Sequence, residues 1–347
     1  MTSTWRLQYF DVIKGIAIFL VVMGHVITMC IRDIDQSFLF KIIGQIHMPL
    51  FFFISGYFTY KSVDNHTFKT PDFKQKFIQL ILPVLVTGSL WVLYFPHSGL
   101  QSPLQPGLAG FWTDLWKNGY WFTLCLFQIL AIYALTGYIL RKTKNIFIQI
   151  AATTLIWIAI GVFTILIPQV YNNILGVSWI YNYYPIFMFG VFAKKHQTTF
   201  EQMTTSNRFM TINLAIAALT GYYLCYSWEF PYINSILSVL LKILFQISIA
   251  TIALNCVKSW EQYNPNKIFH IFAHLGQKSL SIYLLHYFFL FPLTFLQEPM
   301  REIALGFTPL ITISAIVAAI IISITLIADY IISRSKLFSM LLIGNTK

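Results

Sequence analysis

GIAIFLVVMGHVITM, residues 15–29, decides the fold. Fifteen residues with a single ionisable side chain, His25, have the apolarity of a bilayer core rather than of a soluble helix. Just upstream, FDVIKG (10–15) sets Asp11 and Lys14 at the approach to the run. No small-residue cleavage site follows the stretch, and the acid and base interrupt its approach. It is therefore expected as a retained first membrane helix rather than a signal peptide.

The rest of the 347-residue chain agrees. It is 57% hydrophobic, 17% aromatic and only 10% charged, with a mean hydropathy of +0.68. Soluble domains carry about 25% charged residues, so this chain lacks the polar surface that water demands. In lipid every backbone amide and carbonyl needs an internal partner, which leaves helix bundles and closed barrels. Long continuous apolar runs, instead of short alternating ones, select helices. The expectation is an all-α, polytopic helix bundle forming a single domain over 1–347.

Ten segments are long enough to span: 10–30, 41–60, 77–95, 119–140, 146–168, 176–193, 208–227, 233–255, 279–297 and 304–332. Pro185 interrupts the sixth, and the tenth is long enough to tilt. The net charge of +11 would suggest nucleic acid in a soluble protein; here it reads as basic loops on the cytoplasmic side, with no nucleic-acid partner. With the N-terminus inside, 18 of the 23 basic residues fall in cytoplasmic segments. Only Arg32, Lys117 and Arg301 fall in outer loops, so ten spans with both termini cytoplasmic is the expected topology. The longest loops are then 96–118 outside, either partly re-entrant or a plain connector, and 256–278 inside. Cys30, Cys125, Cys225 and Cys256 show no metal-like spacing and read as packing residues without a disulfide.

Three polar clusters interrupt the apolar background. On the first helix, Lys14 and His25 are 11 residues apart, which returns to within about 20° of the same face at about 16 Å further along; Asp11, three residues before Lys14, shares that broad face. A charge at a helix centre costs about 2.5–3.5 kcal/mol on insertion scales, so this stripe should face the bundle interior. Asp11 and Lys14 fit either an anchoring interfacial pair or part of a site. In QIHMPLFFFISGYF (45–58), His47 is a candidate cavity residue, while Gly56 reads as a close helix contact and Ser55 as bonding back to the backbone. In LGQKSLSIYLLHYFFL (275–290), Ser279 fits a helix cap, and His286 is another histidine at membrane depth. No carboxylate joins His25 and His47, so no metal is expected.

FDVIKGIAIFLVVMGH (10–25) closely resembles the first-helix signature of the membrane-bound acyltransferase 3 family, in which a basic residue precedes a histidine at the Lys14–His25 interval. HMPLFFFISGYF resembles that family's FFxxSG block, YWFTLCLF (120–127) its WFL segment, IFMFGVFAKK (186–195) its FxxG-basic segment and LGQKSLSIYLLH its closing block. The five occur in family order across nearly the whole chain. The resemblance implies an integral-membrane enzyme that moves an acyl group, usually acetyl from acetyl-CoA, to a hydroxyl of a carbohydrate or lipid-linked glycan outside the cytoplasm, in a bacterial plasma or inner membrane. It implies His25 as catalytic, with Lys14 and Asp11 in its partner motif. His47, Ser55, Trp121 and His286 would then face the acceptor. Where the family carries an arginine shortly before the helix-three proline, FKQKFIQLILP (73–83) has Gln79, leaving Lys14, Lys74 and Lys76 for the CoA phosphates. The soluble-type HxxxxD motif is absent, since Cys30 stands five residues after His25. A histidine of near-neutral pKa suits removal of the hydroxyl proton, or brief carriage of the acyl group. The other reading is a polytopic transporter or flippase for a lipid-linked sugar, lined by the same sparse polar groups and needing no acyl donor.

Overall fold

The computed structural model describes residues 7–31, 37–61, 71–95, 98, 100, 119–142, 145–226, 235–296 and 307–345. All regular structure among them is helical, as a chain lacking water at its backbone requires. In order, α1 (Gln8–His25) continues as a π-helical turn over Val26–Ile31 and is followed by α2 (Phe38–Thr59). Next come α3 (Phe73–Tyr94, with a π-helical stretch at Phe77–Ile81), α4 (Trp121–Lys142), α5 (Ile146–Leu166) and α6 (Val177–Lys195). Then follow α7 (Asn207–Tyr226), α8 (Ser235–Tyr263), α9 (Lys267–Gln277), α10 (Ser279–Leu285), α11 (Phe307–Ile332) and α12 (Lys336–Ile343). Six helices in the described residues are long and apolar enough to cross a membrane: Gln8–Ile31, Phe38–Thr59, Phe73–Tyr94, Ile146–Leu166, Leu237–Tyr263 and Thr308–Ile332. The chain is a multi-pass helical membrane protein.

Two of the expected segment readings change. The stretch 256–278, expected as a loop, is nearly all helix: α8 runs on to Tyr263, and Asn266 restarts the chain by accepting from the Phe269 amide through its side chain at 3.1 Å. The resulting α9, KIFHIFAHLGQ, is amphipathic, with Lys267, His270 and His274 on one side. The expected ninth span, 279–297, is helical only as far as a 3₁₀ turn at His286–Phe289. Leu290 is extended, and Pro292 has no amide to continue the ladder. Leu293 instead donates its amide to the Cys30 carbonyl at the end of the π turn, 2.7 Å away. The expected serine cap at 279 does not form; Lys278 stands before α10, its amide closing α9 onto the His274 carbonyl at 3.2 Å. The expected outer loop 96–118 lies outside the described residues except for Ser98 and Leu100.

The chain divides into two compact units. One comprises 1–54 and 198–327, and the other 55–197 and 328–347, so α2 and α11 run through both. In the first unit α1 and α9 lie side by side and antiparallel. A side chain at Gly15 would overlap the Phe272 carbonyl, and one at Gly276 the Asp11 carbonyl. Small residues on each helix thus let the two backbones touch, the packing that replaces the hydrophobic effect inside lipid. The link from Lys258 to Glu201 (2.9 Å), with the Lys258 ammonium 5.2 Å over the Tyr9 ring, fastens α8 to the same end of α1.

In the second unit Gly56 lies flush on the Phe187 carbonyl, the close contact expected for it. Trp157 donates to the Tyr181 carbonyl at 3.0 Å while its ring stacks on Tyr181, joining α5 to α6. The outward faces of α5 and α11 carry exposed apolar residues, among them Leu155, Ile158 and Ile165 on the first and Ile316, Ile320, Ile324 and Ile327 on the second. These are lipid-facing surfaces. Cys30 and Cys125 are buried, whereas Cys256 is exposed.

Candidate active site

His25 closes the regular part of α1, and the helix widens into its π turn at the next residue. Such turns re-aim side chains and recur at functional sites. The half-buried imidazole meets the tail of α10: its Nε2 is 2.8 Å from the Tyr287 hydroxyl. The His25 ring centroid lies 4.9 Å from that of Tyr287 and 5.3 Å from that of His286. His286 and Tyr287 are themselves 4.1 Å apart. Both are fully buried at 0% exposure. The 3₁₀ turn explains how neighbours in sequence reach one partner, because its tighter winding displaces successive side chains from the α-helical register.

The hydrogen bonds constrain the protons. His286 Nδ1 is 2.8 Å from the Ile282 carbonyl. A carbonyl only accepts, so Nδ1 carries hydrogen and Nε2 presents a lone pair. That Nε2 is buried and has no hydrogen-bond partner among the described residues. On His25, Tyr287 occupies Nε2, and Nδ1 is the ring nitrogen left without a hydrogen bond among the described residues. The cluster therefore presents two imidazoles and a phenol, with at least one basic nitrogen uncommitted in a site sheltered from water.

The remaining expected residues each have their own surroundings. Asp11 and Lys14 pair with each other at 2.7 Å, with Asp11 only 3% exposed. Eleven residues of helix, about 16 Å, separate Lys14 from His25, so the acid–base pair and the histidine do not touch. His47 bonds through Nδ1 to the Ile43 carbonyl at 2.6 Å. Ile43 in turn faces Gly24 of α1, which puts His47 one turn from the helix contact beside His25. Ser55 is half-buried in α2, its carbonyl accepting from the Thr59 hydroxyl at 2.6 Å.

Trp121 stacks on Trp179 with ring centroids 4.2 Å apart and planes 17° from parallel, and lies 5.4 Å from Tyr183. Lys74 is exposed. Lys76 reaches Gln79 Oε1 at 3.4 Å. Among the described residues no group of three or more His, Cys, Asp or Glu could hold a metal ion. Tyr287 was missed by the sequence reading; its only signal was a phenol directly following an anomalous membrane histidine.

Comparison with known proteins bears on this geometry. A family model described as an acyltransferase domain matches residues 7–328. Two curated relatives are both named nodulation protein NolL. The protein from Sinorhizobium fredii is 35% identical over 136 residues, covering 37% of this chain and 35% of that protein. The one from Mesorhizobium japonicum is 36% identical over 104 residues, covering 27% and 28%. The chain thus matches about a third of the length of these relatives. No solved structure matches.

Proposed function

We propose, from the fact that this chain belongs to the acyltransferase 3 family, that it is an integral-membrane enzyme moving an acyl group, most simply acetyl, from acyl-CoA to a hydroxyl of a cell-surface carbohydrate or lipid-linked glycan. The observation that carries the reading is the buried cluster in which Tyr287 holds His25 at 2.8 Å beside His286. The setting is the bacterial inner membrane, with ten spans and both termini cytoplasmic.

In this reading Tyr287 accepts the His25 Nε2–H, which fixes the tautomer and leaves Nδ1 as the base. His25 Nδ1 removes the proton of the acceptor hydroxyl as its oxygen attacks the thioester carbonyl. The tetrahedral oxyanion collapses, the C–S bond breaks, and the departing CoA sulfur takes the proton back from His25. One ester forms, one thiol leaves, and the imidazole returns to its starting state. Tyr287 meets the imidazolium in between, at a hydrogen bond that strengthens when the ring is charged. His286, with its uncommitted Nε2, is suited to accept a hydrogen bond from the incoming hydroxyl. Lys76, brought to Gln79, supplies the positive charge for the CoA phosphates, with Lys74 and Lys14 as further cations. The flat Trp121–Trp179 pair offers a stacking face for a sugar ring.

The test uses full-length protein in detergent, with radiolabelled acetyl-CoA and thiol release as readouts. His25→Ala should fold and lose about 100-fold or more of its transfer rate, the scale of general-base catalysis. Full activity in that variant would overturn the assignment. Absence of any acyl-CoA turnover in the wild type, alongside movement of a lipid-linked sugar, would favour the transporter reading.

A further inference from the structure

The proposed chemistry leaves one basic feature of the first unit unused. A cavity of about 510 Å³ lies between α9 and α11, floored by Phe19 of α1. Lys267, His270 and His274 approach it from α9, and Ser323 and Leu326 from α11. The three basic residues sit at i, i+3 and i+7, one stripe of a helix, and all three are exposed. Among the described residues no Asp or Glu lines the cavity, and α9 contains none along its length. Its interior is formed by apolar side chains, and the exposed isoleucines Ile320, Ile324 and Ile327 flank it on α11.

The three basic residues are exposed, and the described lining supplies no counter-charge. An anionic group with an apolar tail would complement both the basic stripe and the apolar lining. The position agrees: Lys267 begins α9 only four residues after α8 ends at Tyr263, within about 13 Å of that helix end. The stripe thus starts close to the turn between α8 and α9. Basic pockets between membrane helices suit acidic lipids.

We propose that this groove binds an anionic phospholipid, its phosphate held by Lys267 with His270 and His274 and one acyl chain lying in the cavity against Phe19 and Leu326. The imidazoles can donate an N–H to a phosphate oxygen in either protonation state. The lipid braces α9 against α11 and against Phe19 of α1, the helix that carries His25. The site makes no use of the acyl donor or acceptor, so it stands or falls apart from the proposed catalysis.

The test measures phospholipid retained by delipidated full-length protein, by native mass spectrometry, after incubation with dioleoyl phosphatidylglycerol or dioleoyl phosphatidylcholine. The wild type should retain the anionic lipid in preference. Lys267→Gln should weaken that retention about fivefold, the effect of one basic residue near a lipid surface, and Lys267→Gln/His270→Gln/His274→Gln should abolish the preference. Ser323→Leu, which fills the cavity from α11 without touching a charge, should also reduce retention. Millimolar inorganic phosphate or acetyl-CoA should not displace the lipid. Equal retention of both lipids, full retention by the triple variant, or complete displacement by phosphate or acetyl-CoA would each overturn the proposal. Where the triple variant fails to fold, Ser323→Leu alone decides: unchanged retention refutes the site.

Discussion

Replacing Tyr287 by phenylalanine removes one oxygen and keeps the ring that packs 4.9 Å from His25 and 4.1 Å from His286. The substitution therefore isolates the 2.8 Å bond to His25 Nε2. In the free enzyme the bond is between neutral groups and contributes about 1 kcal/mol. When His25 holds the acceptor's proton the same bond becomes charge-assisted and is worth about 1.5–3 kcal/mol. The substitution loses the bond in both states, so the barrier rises by the difference of about 0.5–2 kcal/mol, which corresponds to about a 2- to 30-fold fall in kcat. Nothing about the phenol binds the donor, so the KM for acetyl-CoA should change little. That split between kcat and KM separates positioning of the histidine from a general loss of structure. The assay is initial-rate thiol release from acetyl-CoA with purified full-length protein, beside a thermal unfolding curve of the same preparation. A Tyr287→Phe enzyme with kcat equal to or above wild type would refute the tautomer argument, since the bond would then be no stronger to the charged ring than to the neutral one. A fall in kcat that disappears when the unfolded fraction is corrected would refute it equally.

Two other substitutions test separate parts of the structure. Lys76→Gln should raise the KM for acetyl-CoA about tenfold with kcat little changed, because one charge-assisted contact to phosphate is lost; an unchanged KM in steady-state kinetics would remove Lys76 from the donor site. Gly276→Ala forces a methyl onto the Asp11 carbonyl and should destabilise the protein by about 1–3 kcal/mol, read as a lower thermal midpoint in detergent. Gly44→Ala, where a methyl meets nothing within 4 Å, should leave that midpoint in place; equal shifts in the two variants would show that the α1–α9 seam is not a tight contact.

What the sequence made legible follows from the physics each signal carries. Helical class was readable because apolarity over 15–29 and its counterparts admits few structures in lipid. His25 and His286 were readable because a histidine at membrane depth is an expensive anomaly. Tyr287 was not, since a phenol costs little among 19 tyrosines, and the bond that gives it meaning joins residues 262 apart. Periodicity cannot report such a contact.

The Asp11–Lys14–His25 stripe shows the opposite limit. Helical phase set the three on one face, but phase says nothing about distance along the axis. The acid and base satisfy each other at 2.7 Å, about 16 Å from the histidine. Their pairing keeps a nearly buried carboxylate neutralised where Gly276 presses on its backbone. A motif that looks continuous in sequence thus splits in space into an ion pair at one end of α1 and a histidine–tyrosine cluster at the other. The break of the closing segment at Pro292 has the same character. Its apolarity suggested an unbroken span, yet the missing amide frees the chain to bond Leu293 to Cys30. That bond ties the chain after Tyr287 to the π turn after His25, so backbone joins the two segments that carry the cluster. Catalytic precision in this protein would then depend on a proline and a π turn that hydropathy alone counts as imperfections.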